Sequence, residues 1–284
     1  MSEKKKLIAA FLRRDIDPGN IDFKRMLVDI TVSTLNKNKV DADAFVDANF
    51  KKYWSWLMRE VDLHTMRGLM PCFSFIEGGG FSFTSNYHSL LASTNKKDKQ
   101  TGALALSRPA ILRKIDALTN REYEALACIV CESIGSTKTH ITPPGNEGGI
   151  DFFATLSTNN SSHIFSSIGT EVRIIGQCKK YVTPVTVDKL EQFITTLQNV
   201  RHRSERVRKH IPGWFDDSRG PIIGWIIAHS GFQAGASDEA KNHGIIVSDS
   251  LDLAEALCLS RSFHSNLKPE KRADEIVPAC RKLL

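Results

Sequence analysis

The chain has 284 residues, 41% of them hydrophobic and 25% charged, which suits one large folded domain or two modest ones and excludes wholesale disorder. No apolar run approaches the roughly 20 residues that cross a bilayer, and the apolar patch after Lys4–Lys6 stops too early, at Arg13-Arg14, for an export signal. Lys plus Arg number 38 against 32 Asp plus Glu, a net charge of +6 with neutral His, which permits a polyanionic partner without establishing one.

The six cysteines are Cys72, Cys128, Cys131, Cys178, Cys258 and Cys280. A chain of this length does not need disulfides, and with no export signal a cytoplasmic location with reduced thiols is expected. Cys128 and Cys131 form a CxxC inside a helical pattern, and no second pair follows at zinc spacing, so they read as core residues.

In chain order, Phe23–Leu35 and Ala44–Val61 carry apolar residues at helical intervals. Two short alternating runs flank Gly78-Gly79-Gly80, a hairpin signal, and a short helix is expected at His88–Leu91. Helices followed by a hairpin fit a winged-helix arrangement or a generic small α+β unit. Ser93–Gly102 is polar and without apolar period, the expected linker, and Lys4–Lys6 and Lys96–Lys99 read as solvated tail and linker.

From about residue 107 the pattern changes. Ser107 caps a short helix with Pro109 in its first turn, and Thr119 precedes a stronger helix, Asn120–Ile134, ended by Gly135. Strands are expected at Gly149–Leu156 and Glu171–Lys179, then a long helix from Thr186 to about Lys209. A buried-type strand at Ile222–Ala228, a helix at Ala236–His243, a strand at Ile245–Ser248 and a helix at Leu251–Cys258 follow. This alternation indicates an α/β domain with parallel connections.

The chemistry concentrates around Asp151, Gln177 and Lys179. Gln177 and Lys179 are two apart on a strand and share a face. If the first two strands pair antiparallel, the start of one lies beside the end of the other. Asp151 stands five residues before Leu156 and Gln177 six after Glu171, so the two reach about the same height. Asp151 suits Mg²⁺ as a hard oxygen ligand, with the Gln177 amide oxygen and the Cys178 backbone carbonyl as further donors. Glu124 could add a carboxylate, and Lys179 could orient or deprotonate water or offset charge. The bland reading is a turn contact at Asp151 and a solvated strand face at Gln177 and Lys179.

Beyond this trio, the stretch of basic residues Arg201, Arg203, Arg206, Arg208 and Lys209 either contacts phosphates or closes a solvated helix end. There is no P-loop and no HExxH, Ser230 is in no Gly-x-Ser-x-Gly elbow, and His140 and His163 read as surface loop residues.

Six segments in order resemble the Mrr-like restriction endonucleases of the PD-(D/E)xK nuclease superfamily. They are Leu118-Thr119 through Tyr123-Glu124, Gly148-Gly149-Ile150-Asp151, Gln177 through Lys180-Tyr181, Val185–Leu197, Ile226–Phe232 and Ala240–Leu253. The likeness covers roughly Leu118 to Leu257. It implies a restriction-endonuclease-like α/β core, a mixed central sheet flanked by helices, preceded by a smaller, mainly helical N-terminal domain with a β-hairpin. The expected division is residues 1–105 for recognition or regulation and 106–284 for the endonuclease. The resemblance implies DNA cleavage with Mg²⁺, for which Mn²⁺ can substitute, held by Asp151, Gln177 and Glu124, with Lys179 essential. Lys180 and Tyr181 match its basic–aromatic pair and are expected on DNA.

The expectation is a Mg²⁺-dependent DNA endonuclease in restriction or anti-phage defence, as a homodimer or higher homo-oligomer, with DNA as partner and no membrane. The N-terminal domain reads DNA or binds a regulatory ligand or protein. The rivals are a structure-selective repair or recombination nuclease and an inactive nuclease fold that only binds DNA.

Overall fold

The computed structural model describes residues 2–66, 71–78, 80–145, 148–157, 171–218, 220–260, 263 and 267–284, without the side chain of Arg206. His163, Gly79 at the expected hairpin tip and the Arg206 side chain lie outside the described residues. The chain divides into two compact units, Met1–Ala110 and Ile111–Leu284. No helix of the described residues is long and apolar enough to cross a membrane.

The first unit runs α1 (Glu3–Leu12), β1 (Ile21–Asp22), α2 (Phe23–Leu35), α3 (Lys39–Met66), β2 (Phe73–Phe75), β3 (Ser82–Ser85), α4 (Asn86–Ala92) and α5 (Lys96–Ala105). α2 begins where the Asp22 carboxylate accepts the Arg25 N–H at 3.0 Å and stops at Asn36, whose φ of 54° is left-handed. The strands form an antiparallel sheet in the order β1-β3-β2. The expected hairpin is β2–β3, which follows α3 in the chain, and β1 adds a third strand to it. The core is aromatic: Phe11 meets Phe23 and Trp56 edge-on, each at 5.7 Å between ring centroids.

Two expectations fail here for one reason. Lys4–Lys6 is no tail and Ser93–Gly102 no linker, because both lie largely on amphipathic helices whose buried apolar side chains fall just beyond the polar run. Leu7 and Phe11 bury the inner face of α1. In α5, Asn95 caps the Lys97 N–H at 2.8 Å, and Leu104 and Ala105 are buried. Gly102 lies so close to α4 that a Cβ there would stand 2.7 Å from the Tyr87 carbonyl oxygen.

α6 (Arg108–Ala117) leads into the second unit, which continues through α7 (Asn120–Ser133), β4 (Ser136–Ile141), β5 (Phe152–Ser157), β6 (Glu171–Lys179), α8 (Val187–Arg201), α9 (Glu205–Arg208) and α10 (Gly213–Asp217). Next come β7 (Ile222–Ala228), α11 (Ala234–Asn242), β8 (Ile246–Asp249), α12 (Ser250–Leu259), α13 (Pro269–Asp274) and α14 (Ile276–Leu283). The sheet order is β4-β5-β6-β7-β8. β4, β5 and β6 pair antiparallel, whereas β6, β7 and β8 pair parallel, so the sheet is mixed.

Side chains alternate across β6, which buries both faces. Ile175 belongs to the cluster of Phe153, Phe193, Leu197 and Ile226 under α8. The opposite face packs against α7, which buries Tyr123, Leu126 and Val130. α7 opens with a capping box: the Thr119 hydroxyl accepts the Glu122 N–H while the Glu122 carboxylate accepts the Thr119 N–H.

Most element bounds shift by a few residues, and three differences from expectation bear on the site. The long helix ends at Arg201 instead of near Lys209, since Arg203 takes a left-handed φ of 53° and Ser204 starts the separate α9. β4 had no strand signal, because Ser136–Ile141 is a polar, largely exposed edge strand. β5 begins at Phe152 rather than Gly149, because Gly148 and Gly149 turn the chain with φ of +66° and +86°.

Candidate active site

The site starts from the Gly148–Gly149 turn. Both carbonyls of the turn are held: the Thr196 hydroxyl donates to Gly148 O at 2.9 Å and the Gln177 amide nitrogen to Gly149 O at 2.7 Å. The approach is so close that a Cβ on Gly149 would stand 3.2 Å from both donor atoms. Buried Thr142, just past β4, holds the next two residues. Its hydroxyl donates to Ile150 O at 2.8 Å and its N–H to Asp151 O at 3.0 Å.

Asp151 lies one residue ahead of β5. Its N–H donates to Gly176 O at 2.8 Å, although the register partner of Gly176 is Phe152. Two residues thus oppose one, as in a β-bulge, which re-aims the side chain at the strand end. The Asp151 Oδ2 accepts the Cys178 N–H at 2.6 Å. Asp151 therefore reaches the height of β6 that counting residues implied.

Gln177 is buried, with 6% of its surface exposed. Its amide NH₂ is committed to Gly149, while its Oε1 takes no donor among the described residues. Lys179 follows on the same face. Its Nζ lies 5.9 Å from the Tyr181 ring centroid and makes no hydrogen bond or ion pair among the described residues. The segment after it is fastened at three points. The His229 N–H donates to Lys179 O at 2.9 Å, Lys180 Nζ to Asp116 O at 2.9 Å, and the Ser230 hydroxyl to Tyr181 O at 2.7 Å. His229 Nε2 in turn meets Asp116 Oδ1 at 2.9 Å.

Glu124 comes from α7. Arg121, one turn earlier, pairs with Glu124 Oε2 at 2.7 Å and donates from its other nitrogen to Thr142 O at 2.6 Å. A continuous chain of hydrogen bonds thus runs from Glu124 through Arg121 and Thr142 to the Asp151 backbone. Burial holds the Cys178 thiol well above its ordinary range, and the nearby Asp151 and Glu124 carboxylates push it the same way. That disfavours its thiolate; what Cys178 gives Asp151 is its backbone N–H. Beside the turn lies a cleft of about 350 Å³ bordered by Gly148, Gly149, Gln177, Gln192, Thr196 and Asn199.

The structure thus gathers Asp151, Gln177, Cys178 and Lys179 at one end of β6, with Glu124 tied in through Arg121. It treats the basic residues unequally. Lys180 is turned onto Asp116 O, and Tyr181 is exposed. Arg201 folds back onto Ile222 O at 2.9 Å and Arg203 pairs with Asp216 at 3.1 Å. Arg208 and Lys209 are exposed, flanking buried Val207, whose Cγ1 would stand 3.3 Å from a Cβ on Gly148.

Sequence reasoning missed Arg121, Thr142, Thr196, Asp116 and His229 as supports. Arg121 was readable as a helix pair three residues from Glu124. The two threonines carried no local signal. Among the described residues, no group of three His, Cys, Asp or Glu side chains converges as a metal site. The donors here are two carboxylates, an amide oxygen and a backbone carbonyl. All are hard oxygen ligands, which fits Mg²⁺ and does not suit zinc.

A mixed sheet sandwiched between helices, with this cluster at a strand end, defines a restriction-endonuclease-like core. The Mrr_cat restriction endonuclease family matches residues 115–257, half of the chain. The chain belongs to that family. Among solved structures, the DNA modification-dependent restriction endonuclease AspBHI matches with 16% identity and a TM-score of 0.41, over 68% of this chain and 44% of that one. The MspJI restriction endonuclease in complex with a 27-mer oligonucleotide matches with 18% identity and a TM-score of 0.38, over 67% of this chain and 39% of that one. The chain spans less than half the length of either. No curated protein matches the sequence.

Proposed function

We propose that this chain is a Mg²⁺-dependent DNA endonuclease acting in restriction of foreign or modified DNA. The observation that carries the reading is the fixing of Asp151 against β6 by the Cys178 N–H, level with Gln177 and next to Lys179. Asp151, the Gln177 Oε1, the Cys178 carbonyl and Glu124 would hold the divalent ion, with Mn²⁺ able to replace Mg²⁺. When bound, the ion supplies charge at the scissile phosphate and acidity for the attacking water.

The chain's own residues do the rest. Lys179 orients that water, moves its proton or offsets negative charge as the phosphodiester opens to a 3′-hydroxyl and a 5′-phosphate. Arg121 holds the Glu124 carboxylate in place. Lys180, through its stem, and exposed Tyr181, Arg208 and Lys209 border the DNA path, whereas Arg201 and Arg203 serve the fold. The first unit reads DNA or receives a regulatory ligand or protein. Two copies related by a twofold axis would cut both strands.

The test is incubation of the full chain with supercoiled and linear DNA, methylated and unmethylated, in Mg²⁺ or EDTA. Cutting of duplex in Mg²⁺ alone, with a preference set by methylation, supports restriction. Cutting confined to junctions or flaps would move the assignment to repair. DNA binding with no cutting on any substrate would contradict the enzyme reading.

A further inference from the structure

The first unit holds a chemically distinctive cluster that the nuclease does not use. Cys72 stands just ahead of β2, and side chains from three helices converge on its sulfur. The Tyr87 hydroxyl on α4 donates to Sγ at 3.0 Å, and His64 Nε2 on α3 lies 3.9 Å away. The Arg108 guanidinium, on α6, also donates to Sγ. Arg108 is itself buried, with 5% of its surface exposed. A small cavity of about 10 Å³ opens among Cys72, His64, Arg108, Glu60, Leu12 and Trp56. That is about the space of one water molecule and none for a tripeptide thiol, so a peroxide oxygen reaches the sulfur only as the pocket side chains shift slightly.

We propose that Cys72 is a peroxide-reactive cysteine, oxidised to a sulfenic acid in the pocket built by His64, Tyr87 and Arg108. Three donors around one sulfur are the setting in which a thiolate forms and reacts. Burial alone would push the Cys72 thiol up, but His64, Arg108 and Tyr87 outweigh it and bring the group below its ordinary range. The partner moves the other way: its bond to Cys72 lifts His64 to about 9. Among the described residues, the other groups facing this pair are Glu60, whose carbonyl meets His64 Nδ1 at 2.7 Å and which lines the cavity, and the two donors already named. By contrast, burial pushes Cys128, Cys131, Cys178 and Cys280 up, which disfavours their thiolates.

In the reaction, a sulfur lone pair attacks one peroxide oxygen and the O–O bond breaks. The leaving hydroxide takes a proton from the His64 imidazolium and departs as water. Sulfur loses two electrons and the peroxide gains them. The product hydroxyl stays on sulfur, facing Arg108 and Tyr87.

The experiment treats the full chain with hydrogen peroxide, traps sulfenic acid with dimedone and reads each cysteine peptide by mass spectrometry between pH 6 and 8. The Cys72 peptide should label at least about tenfold faster than those carrying Cys128, Cys131 and Cys280, with a nearly flat pH profile in that window. In Arg108→Gln the label should slow and become steeply pH-dependent. Equal labelling of all peptides, or a wild-type rate that rises about tenfold per pH unit as for an ordinary thiol, would overturn the proposal. The wild-type profile stands alone if the Arg108 variant fails to fold.

Discussion

The Asp151 carboxylate accepts the backbone N–H of Cys178 at 2.6 Å, which ties the entry to β5 onto the last turn of the β6 ladder. The position of this carboxylate is therefore set by strand pairing and by the bulge at Gly176, rather than by a free rotamer.

That bond separates the chemistry of Asp151 from its contribution to stability. Asp151→Asn keeps an acceptor for the Cys178 N–H, so unfolding in urea should shift little while cleavage is lost. Asp151→Ala removes the acceptor as well and should destabilise the second unit by about 1.5–3 kcal/mol. Equal stability loss in both variants would show that the hydrogen bond does not anchor the residue.

Gly149 has a φ of +86°, and a Cβ there would press to 3.2 Å on both Gln177 Nε2 and Thr196 Oγ1, so these side chains must give by a few tenths of an ångström. Gly149→Ala should destabilise by about 1–2 kcal/mol from the left-handed backbone. It should also slow cleavage by about tenfold or more, because Gln177 and Asp151 are displaced together. Thermal melts and cleavage rates measured on the same preparation check both. Unchanged cleavage would show that the turn does not set the site.

Gly176 has a different task. The Phe152 ring lies across it, and a Cβ there would fall 1.9 Å from the ring Cζ. Gly176→Ala should lower the urea midpoint, a loss of about 1–3 kcal/mol or more from overpacking. The double variant with Phe152→Leu should recover part of that loss, because the ring is the obstacle. Additive losses would place the strain elsewhere.

Glu122 gives a pH-dependent term. The Thr119 backbone N–H, then Arg281, hold its carboxyl below the ordinary value of 4.5. A depressed carboxyl stabilises the fold fully above its unfolded value and loses that contribution as pH falls through the folded one. The melting temperature of the wild type should exceed that of Glu122→Gln at pH 7, and the gap should close as pH drops below 4.5. A gap independent of pH would contradict this ion pair and capping box.

Much of the second unit was legible because its strands are apolar and its turns are punctuated. Counting from Leu156 and Glu171 placed Asp151 level with Gln177, and the ladder runs in that register. β4 was not legible, since an edge strand such as Ser136–Ile141 needs no apolar alternation. The break after Arg201 was hidden because the basic run that follows still has good helix formers. Polar segments misled most. Lys4–Lys6 and Ser93–Gly102 looked like tail and linker because the buried apolar side chains of α1 and α5, Leu7, Phe11, Leu104 and Ala105, lie outside them. The supports of the site were silent as well. Thr142 and Thr196 matter only for the backbone carbonyls they reach, and those contacts exist only once the sheet and α8 have closed.

The most direct measurement of the central claim is the single-turnover rate of DNA cleavage in Mg²⁺ for wild type, Lys179→Ala and Asp151→Asn, each shown by its melt to be folded. The account predicts EDTA-sensitive cutting by wild type and a loss of at least about 100-fold in both variants, with DNA binding retained by Asp151→Asn. Cutting that persists at the wild-type rate in folded Lys179→Ala or Asp151→Asn would place the active site elsewhere.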